Sequence, residues 1–593
     1  MNPRDYYLSI IKNSNNSIQH LRRLSMAVAM LRLLVFIATV AACFIPDSAL
    51  LIAVIAVCGL VIFLWLAKTS SKIDNRKAIE EAKINSSRLN IDRLDLKFDN
   101  LPEGNEHIDP SHDFAFDIDL FGKKSIFSLL ASTSTTTGSR KLAEWLMHPE
   151  KVYNSVETRQ EAVKELASNH SFRLEMASIG KVTSEEVNDG KHLNQTNVPD
   201  FSVGILWKMA YHTVPVLYAV MFILMAFDIL PGLFIFYFFL LMLAISGLQA
   251  KRIGKLHEWL AVNVKRIACC SNLFCTIETG QFSSPVLQDL QAKVKSDTTC
   301  ASLQTYRLMR IINNLDQRYN VFGYAIMNGF LLWDIRQIDN ARKWMADNVA
   351  KTDDWDECIA GFDAFCALAT FRFNNPRYIF PVPDKSGETI IKAEEAGHPL
   401  IAADKCVCND IQRLSLQSFF VVTGANMAGK STYLRTVAVN YLLALIGAPV
   451  FAKQMTFSPA SLFTGLRTSD SLTDGASYFF AELSRLQQIV RRAEKGERML
   501  VILDEILRGT NSTDKQKGSL GLVSKLIGLP VAGIIATHDL ALGTLAEAYP
   551  EKVNNFRFEA EINGDNLSFS YRIMPGIAQN TNASYLMRTM GII

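Results

Sequence analysis

Residues 418–432 read SFFVVTGANMAGKST. A short apolar run, Ser418 to Thr423, leads into Gly424-Ala-Asn-Met-Ala-Gly429-Lys430-Ser431, which fits the pattern GxxxxGK[ST]. The run before it has strand character, and Thr432 to Ile446 carries a helical pattern. A strand, a glycine-rich turn and a helix in that order make a phosphate site, because loop N–H groups and the positive helix end converge there. Gly424, Asn426, Met427, Gly429, Lys430, Ser431 and Thr432 are the expected cradle. Lys430 is expected to reach the β- and γ-phosphates, and Ser431 to hold a magnesium ion.

Further motifs lie downstream. Met499 to Glu505 (MLVILDE) predicts an apolar strand ending in two carboxylates. Asp504 is the expected second magnesium holder and Glu505 the group that orients or deprotonates water. Val531 to Asp539 (VAGIIATHD) predicts another buried strand, with His538 at its carboxyl end, where open α/β sheets bind ligands. Each acid or histidine alone reads as ordinary structure; beside Lys430 they read as one nucleotide site. Between the two carboxylates and the phosphate loop, Gly475-Ala476-Ser477 opens a predicted helix running to about Glu494.

The chain has 593 residues, room for several domains. Its 61 basic and 58 acidic side chains leave a net charge of +3, so any nucleic-acid contact needs a local basic patch. Ten cysteines without a CxxC pair or a cleavable signal read as free thiols. Cys406 and Cys408 lack a second ligand pair for zinc.

The apolar residues are unevenly spread. Ser48 to Ala67 holds no charge and has the length of a bilayer span. Leu24 to Ile45 before it is apolar except for Arg32, placed to snorkel. Pro46-Asp47 is the expected turn, giving a first hairpin over about 24–67. A second hairpin covers about 212–248: His212 to Phe227 and Leu230 to Leu248 flank Asp228 and a Leu230-Pro231-Gly232 turn. Basic residues (Arg22, Arg23, Lys68, Lys72; Lys208, Lys251, Arg252) flank both, so both hairpins are expected to dip in from the cytoplasmic side. The competing reading is buried core helices, most credible for the arm with Arg32.

Between and after the hairpins the pattern is helical. Asp99 to Ser111 reads as a linker, so that 1–97, 98–114, 115–385 and 386–593 are the expected units. Leu256–Asp297, Ser302–Ala350 and Trp355–Phe371 read as helices. The crowding of Phe322, Tyr324, Phe330, Leu331 and Trp333 predicts a helix packed on several sides.

Three segments resemble the MutS family. VVTGANMAGKSTYLRTVAVNYLLALIGAPVFA (Val421 to Ala452) resembles its phosphate-loop segment, DEILRGTNSTD (Asp504 to Asp514) its acidic segment, and ATHD (Ala536 to Asp539) its threonine-histidine switch. TTTGSRKLAEWLMHPE resembles the start of its core domain, and Gly397-His398-Pro399 and Asn409-Asp410 its lead-in to the ATPase. The resemblance covers about 115–175 and 300–593. It implies an α/β ABC-type P-loop ATPase domain at the C-terminus, preceded by an all-α core and lever region, here interrupted by transmembrane hairpins. It also implies ATP and Mg2+ as cofactors and a homodimer in which the partner's Ser477 completes each site. The departures are a missing mismatch-reading domain, Leu507 where glycine is usual, Ala428 in place of a loop glycine, and Cys406-Val407 where an aromatic often meets adenine.

The expected protein is therefore a multi-pass membrane ATPase, in a bacterial inner membrane, with its ATPase domain cytoplasmic. Its expected partners are a second copy, membrane lipid, and DNA through backbone contacts without mismatch reading. The alternatives are a transport-type or membrane-remodelling ATPase without DNA, and a scaffold that binds nucleotide without turnover.

Overall fold

The computed structural model describes residues 2–45, 48–186, 202–295, 299–425, 427–467, 478–507, 511–563 and 566–578. Its N-terminal part is helical and its C-terminal part is α/β. Helix α1 (Pro3–Cys43) and helix α2 (Ala49–Leu94) pack along each other as a long pair. The expected turn, Pro46-Asp47, lies outside the described residues. Both helices run well past the apolar arms, and the apolar halves stay exposed, as at Leu33, Phe36, Val57 and Trp65. They touch closely where Gly59 meets Thr39, whose side chain would collide with any Cβ there. Arg32 lies with its guanidinium 5.4 Å from the Phe63 ring centre. The other end of the pair is docked on protein. Buried Tyr7 donates to Asn374 Oδ1 at 2.8 Å, and buried Arg93 donates to the carbonyls of Ala131 and Ser128 at 2.5 and 3.3 Å.

The stretch expected to be a linker has anchored ends. Phe98 and Leu101 are buried, and so are Phe114 and Ala115 just beyond it. From there the chain follows the α/β region as an acidic strap. Asp113 pairs with Arg492 at 2.5 Å, Asp117 with Arg485 at 3.3 Å and Asp119 with Arg467 at 2.5 Å.

Helix α3 (Thr136–Met147) begins where the Ser/Thr run ends, with Thr135 as its N-cap accepting from Gly138 N at 3.0 Å. Buried Asp363 accepts from the N–H groups of Ser134 and Thr135 and from both hydroxyls. Gly138 must be glycine, since a Cβ would lie 2.2 Å from Asp363 Oδ2. Helix α4 (Val156–Ser168) carries Arg159, 4% exposed and clamped between the Trp145 and Phe365 rings at 3.8 and 4.9 Å.

The second apolar pair is α5 (Ile205–Ala226) and α6 (Gly232–Asn263), joined through Asp228 at φ +57°. With α1 and α2 they are four helices long and apolar enough to cross a membrane. The region from Ser302 to Ala350, expected to be helical, divides into α7 (Ala301–Asp316), α8 (Val321–Leu331) and α9 (Trp333–Asn348), with left-handed Leu332 between the last two. The crowded aromatic pattern also does not mean packing on several sides. Val321 and Phe322 are 77% and 82% exposed, because α8 packs on α5 and α6 along one flank only. The helical stretch Leu256–Asp297 is divided too: α6 stops at Asn263, and Gly280 and Pro285 separate short helices after it. Asp297 lies outside the described residues. Helix α10 (Thr352–Asn374) is buried along most of its length and leads to the α/β region.

Two sheets build that region. The smaller has order β1-β5-β2-β3, from β1 (Val382–Pro383), β2 (Thr389–Ala396), β3 (Asn409–Ser415) and β5 (Gln454–Phe457). The larger has order β10-β9-β4-β8-β7-β6: β4 (Phe419–Gly424), β6 (Ser461–Gly465), β7 (Met499–Asp504), β8 (Val531–Thr537), β9 (Val553–Asn563) and β10 (Asn566–Pro575). Only the β9–β10 pair is antiparallel. The parallel strands β4, β7 and β8 are continuous apolar runs because helices cover both faces.

His398, 7% exposed, accepts from Leu400 N through Nδ1 at 3.2 Å. Burial holds its pKa down at about 4, with Arg435 adding to the shift and Asp119 opposing it. The unfolded chain therefore takes up this proton first. Stability from His398 is complete above the ordinary histidine pKa and falls as pH drops towards 4, by roughly 3 kcal/mol at most. In detergent, His398→Asn should show a smaller fall in apparent Tm between about pH 7 and about pH 5 than the parent chain. An equal fall would place the pH sensitivity elsewhere.

Candidate nucleotide site

Strands β4, β8 and β7 are neighbours, so their carboxyl ends form one edge. Thr423 sits beside Thr537, and Asp504 beside Ala536. Beyond β4 the chain turns through Gly424 (φ +149°) and Gly429 (φ +108°) into α11 (Lys430–Leu445). A Cβ at Gly424 would lie 2.5 Å from the Phe558 carbonyl, and one at Gly429 would lie 3.2 Å from the Tyr571 ring. Both glycines are thus needed for conformation and for the approach of the β9–β10 hairpin. Met427 is left-handed (φ +65°) and 77% exposed at the loop tip. Ala428 is buried. Thr432 is exposed in the first turn of α11. Asn426 lies outside the described residues.

Lys430 is only 6% exposed. Its Nζ donates to Gly424 O at 2.7 Å and Ala425 O at 2.8 Å and lies 3.5 Å from His538 Nε2. Burial pulls its pKa down to about 8, against the pull of Asp504 and Glu505. Ser431 Oγ donates to Asp504 Oδ2 at 2.5 Å. Glu505 is left-handed (φ +55°), with its N–H on Ala536 O at 2.9 Å and its Oε1 accepting from Lys515 Nζ at 2.8 Å. The His538 pKa is lowered, first by desolvation and then by the Lys430 ammonium. The paired oxygens of Ser431 and Asp504 suit a hard divalent cation. The Lys430 ammonium, bonded to loop carbonyls and close to His538, suits a phosphate oxygen. These residues fit ATP with Mg2+.

Ser477 lies outside the described residues, and α12 (Tyr478–Glu494) begins directly after it. The acidic strap grips this helix through Arg485 and Arg492. Glu482 of α12 accepts from Leu507 N at 2.5 Å. Leu507 is left-handed (φ +58°), which explains why glycine is the residue the resemblance leads one to expect there.

Some contributors escaped sequence reasoning. Lys515, on α13 (Ser512–Ile527), has no motif of its own. Phe558 and Tyr571 belong to the β9–β10 hairpin, which did carry a signal: alternating apolar residues on either side of Asn563-Gly564. Asn409 ties that hairpin down, donating to Tyr571 O at 2.9 Å and accepting from Ile573 N at 2.8 Å.

Gly424→Ala should cost roughly 1–3 kcal/mol of stability and abolish nucleotide binding, read by thermal unfolding and by titration with a fluorescent ATP analogue. Unchanged binding would mean the loop tolerates a displaced β9.

Comparison with known families gives two matches. MutS domain V matches residues 420–591, from β4 through the phosphate loop, both carboxylates and His538 to the chain's last strands. It is a domain of an ATPase family. MutS domain III matches residues 106–195, which include the acidic strap, α3 and α4. In the order III then V, with the site's geometry lying inside the second, the two matches support a MutS-family protein.

Proposed function

We propose that this chain is a membrane-anchored MutS-like ATPase that works as a homodimer. The observation that carries the reading is the gathering of Lys430, Ser431, Asp504, Glu505 and His538 at the carboxyl edge of three adjacent parallel strands. The hairpins α1–α2 and α5–α6 hold the chain in a bilayer, supported by their exposed apolar surfaces and basic flanks. In a MutS-like dimer each nucleotide lies between two chains, and Ser477, the residue before α12 in sequence, reaches the partner's nucleotide.

Bound ATP with Mg2+ supplies the phosphoryl group that is transferred to water. Lys430 exchanges its loop carbonyls for phosphate oxygens and neutralises them. Ser431 and Asp504 present oxygens to the cation. Glu505, once released from Lys515, accepts the proton of water, and His538 donates towards the phosphate. Closure of the two chains is passed through α11 to Arg159, which donates to Ile446 O at the far end of that helix, and so into α4 and α10. DNA is held, where it is held, through its phosphates.

Glu505→Gln keeps the shape but removes the base. It should bind ATP normally, hydrolyse it about 10²–10⁴-fold more slowly and accumulate as closed dimer on size exclusion. Lys430→Ala and Ser477→Arg should each be inactive alone. Mixed, they form dimers with one doubly defective site and one intact site, so part of the activity should return. Dead mixtures containing verified mixed dimers would refute independent shared sites, and a fully active monomer would refute sharing altogether.

DNA affinity should fall steeply with salt and differ little between matched and mismatched duplexes. A mismatch preference on the order of tenfold, ~1.4 kcal/mol, would show that mismatch reading is retained.

A further inference from the structure

Helix α8 has the sequence VFGYAIMNGFL, without a charge. The turn before α8 and the end of α8 contact α6 at different heights. Arg318, just before α8, donates to Ala250 O at 3.0 Å, beside Lys251 at the basic flank of the second hairpin. Near the end of α8, Phe330 has its ring 5.0 Å from Phe239 and 4.8 Å from Tyr218, and Tyr218 Oη donates to Gly329 O at 2.9 Å. Gly329 packs so tightly on Phe239 that a Cβ would overlap it at 2.2 Å. Arg318 also lies 4.0 Å from Asp334, just past the other end of α8, so α8 is an apolar excursion whose deepest contacts with α6 are those of Gly329 and Phe330 with Phe239. Tyr218 is ten residues from Lys208 and Phe239 is twelve from Lys251, about 15 and 18 Å along their helices. That depth is about half of a ~30 Å hydrocarbon core.

The face that α8 turns away from the hairpin is apolar and open: Val321, Phe322 and Ile326 are 77%, 82% and 57% exposed. The neighbouring hairpin surface is open too, at Phe222, whose ring lies 6.4 Å from Phe330. The buried end of α8 is closed by protein, as backbone at membrane depth requires. Leu332 is 1% exposed, its N–H donates to Asn328 O at 3.2 Å, and Asn328 Oδ1 accepts from Asp334 N at 3.0 Å. On the shallow side, Arg307, Arg310, Arg336 and Lys343 line a cavity of about 490 Å3 between α7 and α9, with Asp347 as the acid among them. Positive charge beside an apolar face suits a bilayer with anionic headgroups.

We propose that α8 is a half-depth membrane segment, entering the bilayer beside the second hairpin with Val321, Phe322 and Ile326 against acyl chains. The inference rests on the reading of α5 and α6 as membrane-spanning.

The test uses the full chain in nanodiscs of phosphatidylethanolamine and phosphatidylglycerol. Phe322→Cys and Ile326→Cys variants are exposed to a membrane-impermeant maleimide. Labelling is read peptide by peptide by mass spectrometry, so native cysteines do not interfere. Val220→Cys, on the open face of α5, is the hairpin control, and Val382→Cys, 63% exposed on β1, is the aqueous control. In parallel, a phospholipid with a diazirine on its acyl chain is photolysed and its peptide adducts are mapped. The expected result is loss of labelling at 322 and 326, as at 220, with lipid adducts on the α8 peptide. Labelling at 322 and 326 as fast as at 382, with 220 protected, overturns the half-depth segment and leaves the hairpin standing. Labelling at 220 as well overturns both. Protection without lipid adducts assigns the face to a second copy and also overturns the proposal.

Discussion

One buried cation joins the two halves of this protein. Arg159 rises from α4, passes between Trp145 and Phe365, and donates through Nε to Ile446 O at 2.9 Å. Burial pulls its pKa down to about 9, which still leaves it charged at neutral pH. A buried charge is costly unless compensated. Here the compensation comes from two aromatic faces and from the negative end of α11. Phe365 lies on α10, Trp145 on α3 and Ile446 at the end of the helix that starts with Lys430. Four elements therefore meet at one guanidinium. Gly447 follows at φ +79°, with the Arg159 Cβ only 2.9 Å from where its own Cβ would stand, so the turn out of α11 is shaped to the same side chain. A rigid-body displacement of α11 would move this contact.

A second link runs along the outside. The strap of Asp113, Asp117 and Asp119 precedes the helical region in sequence yet pairs with arginines more than 340 residues later. Asp117 is the deepest of them, 2% exposed, accepting from Thr464 Oγ1, Arg467 N and Arg485. It holds β6 and α12 together, and α12 in turn holds Leu507 through Glu482. The surface expected to face a partner chain is thus braced by the segment matched to MutS domain III.

What could be read from sequence, and what could not, follows the range of the interactions. The glycine turn before Lys430, Asp504 at the end of β7, and Glu505 and His538 just past β7 and β8 were legible as candidate positions because each belongs to a local arrangement of strand, turn and helix. The apolar helices were legible for the same reason: span length and flanking charge are properties of contiguous residues. Asp117 and Arg159 act across long separations and bear no local mark, and Lys515, though only ten residues from its partner Glu505, belongs to no motif. The region from Ser302 misled because its aromatic crowding looks the same whether protein or another apolar phase covers it. Leu332 breaks that region with a left-handed residue that is not glycine, which composition does not announce.

The length of the first hairpin has a mechanical meaning. Its helices have 41 and 46 residues, about twice what a bilayer requires. The remainder is a stiff two-helix post, clamped by Tyr7 and Arg93 to the helical body, with Arg4 tying its two ends together through Asp95. On the proposed membrane-anchored reading, this post and the second hairpin share one fluid sheet, in which sliding and rotation about the normal stay free and tilting is resisted. Two chains of the proposed dimer would then meet on a surface, at a fixed height and with matching faces level. The search for a partner becomes two-dimensional, and the effective concentration of one chain for another rises without any new contact between them.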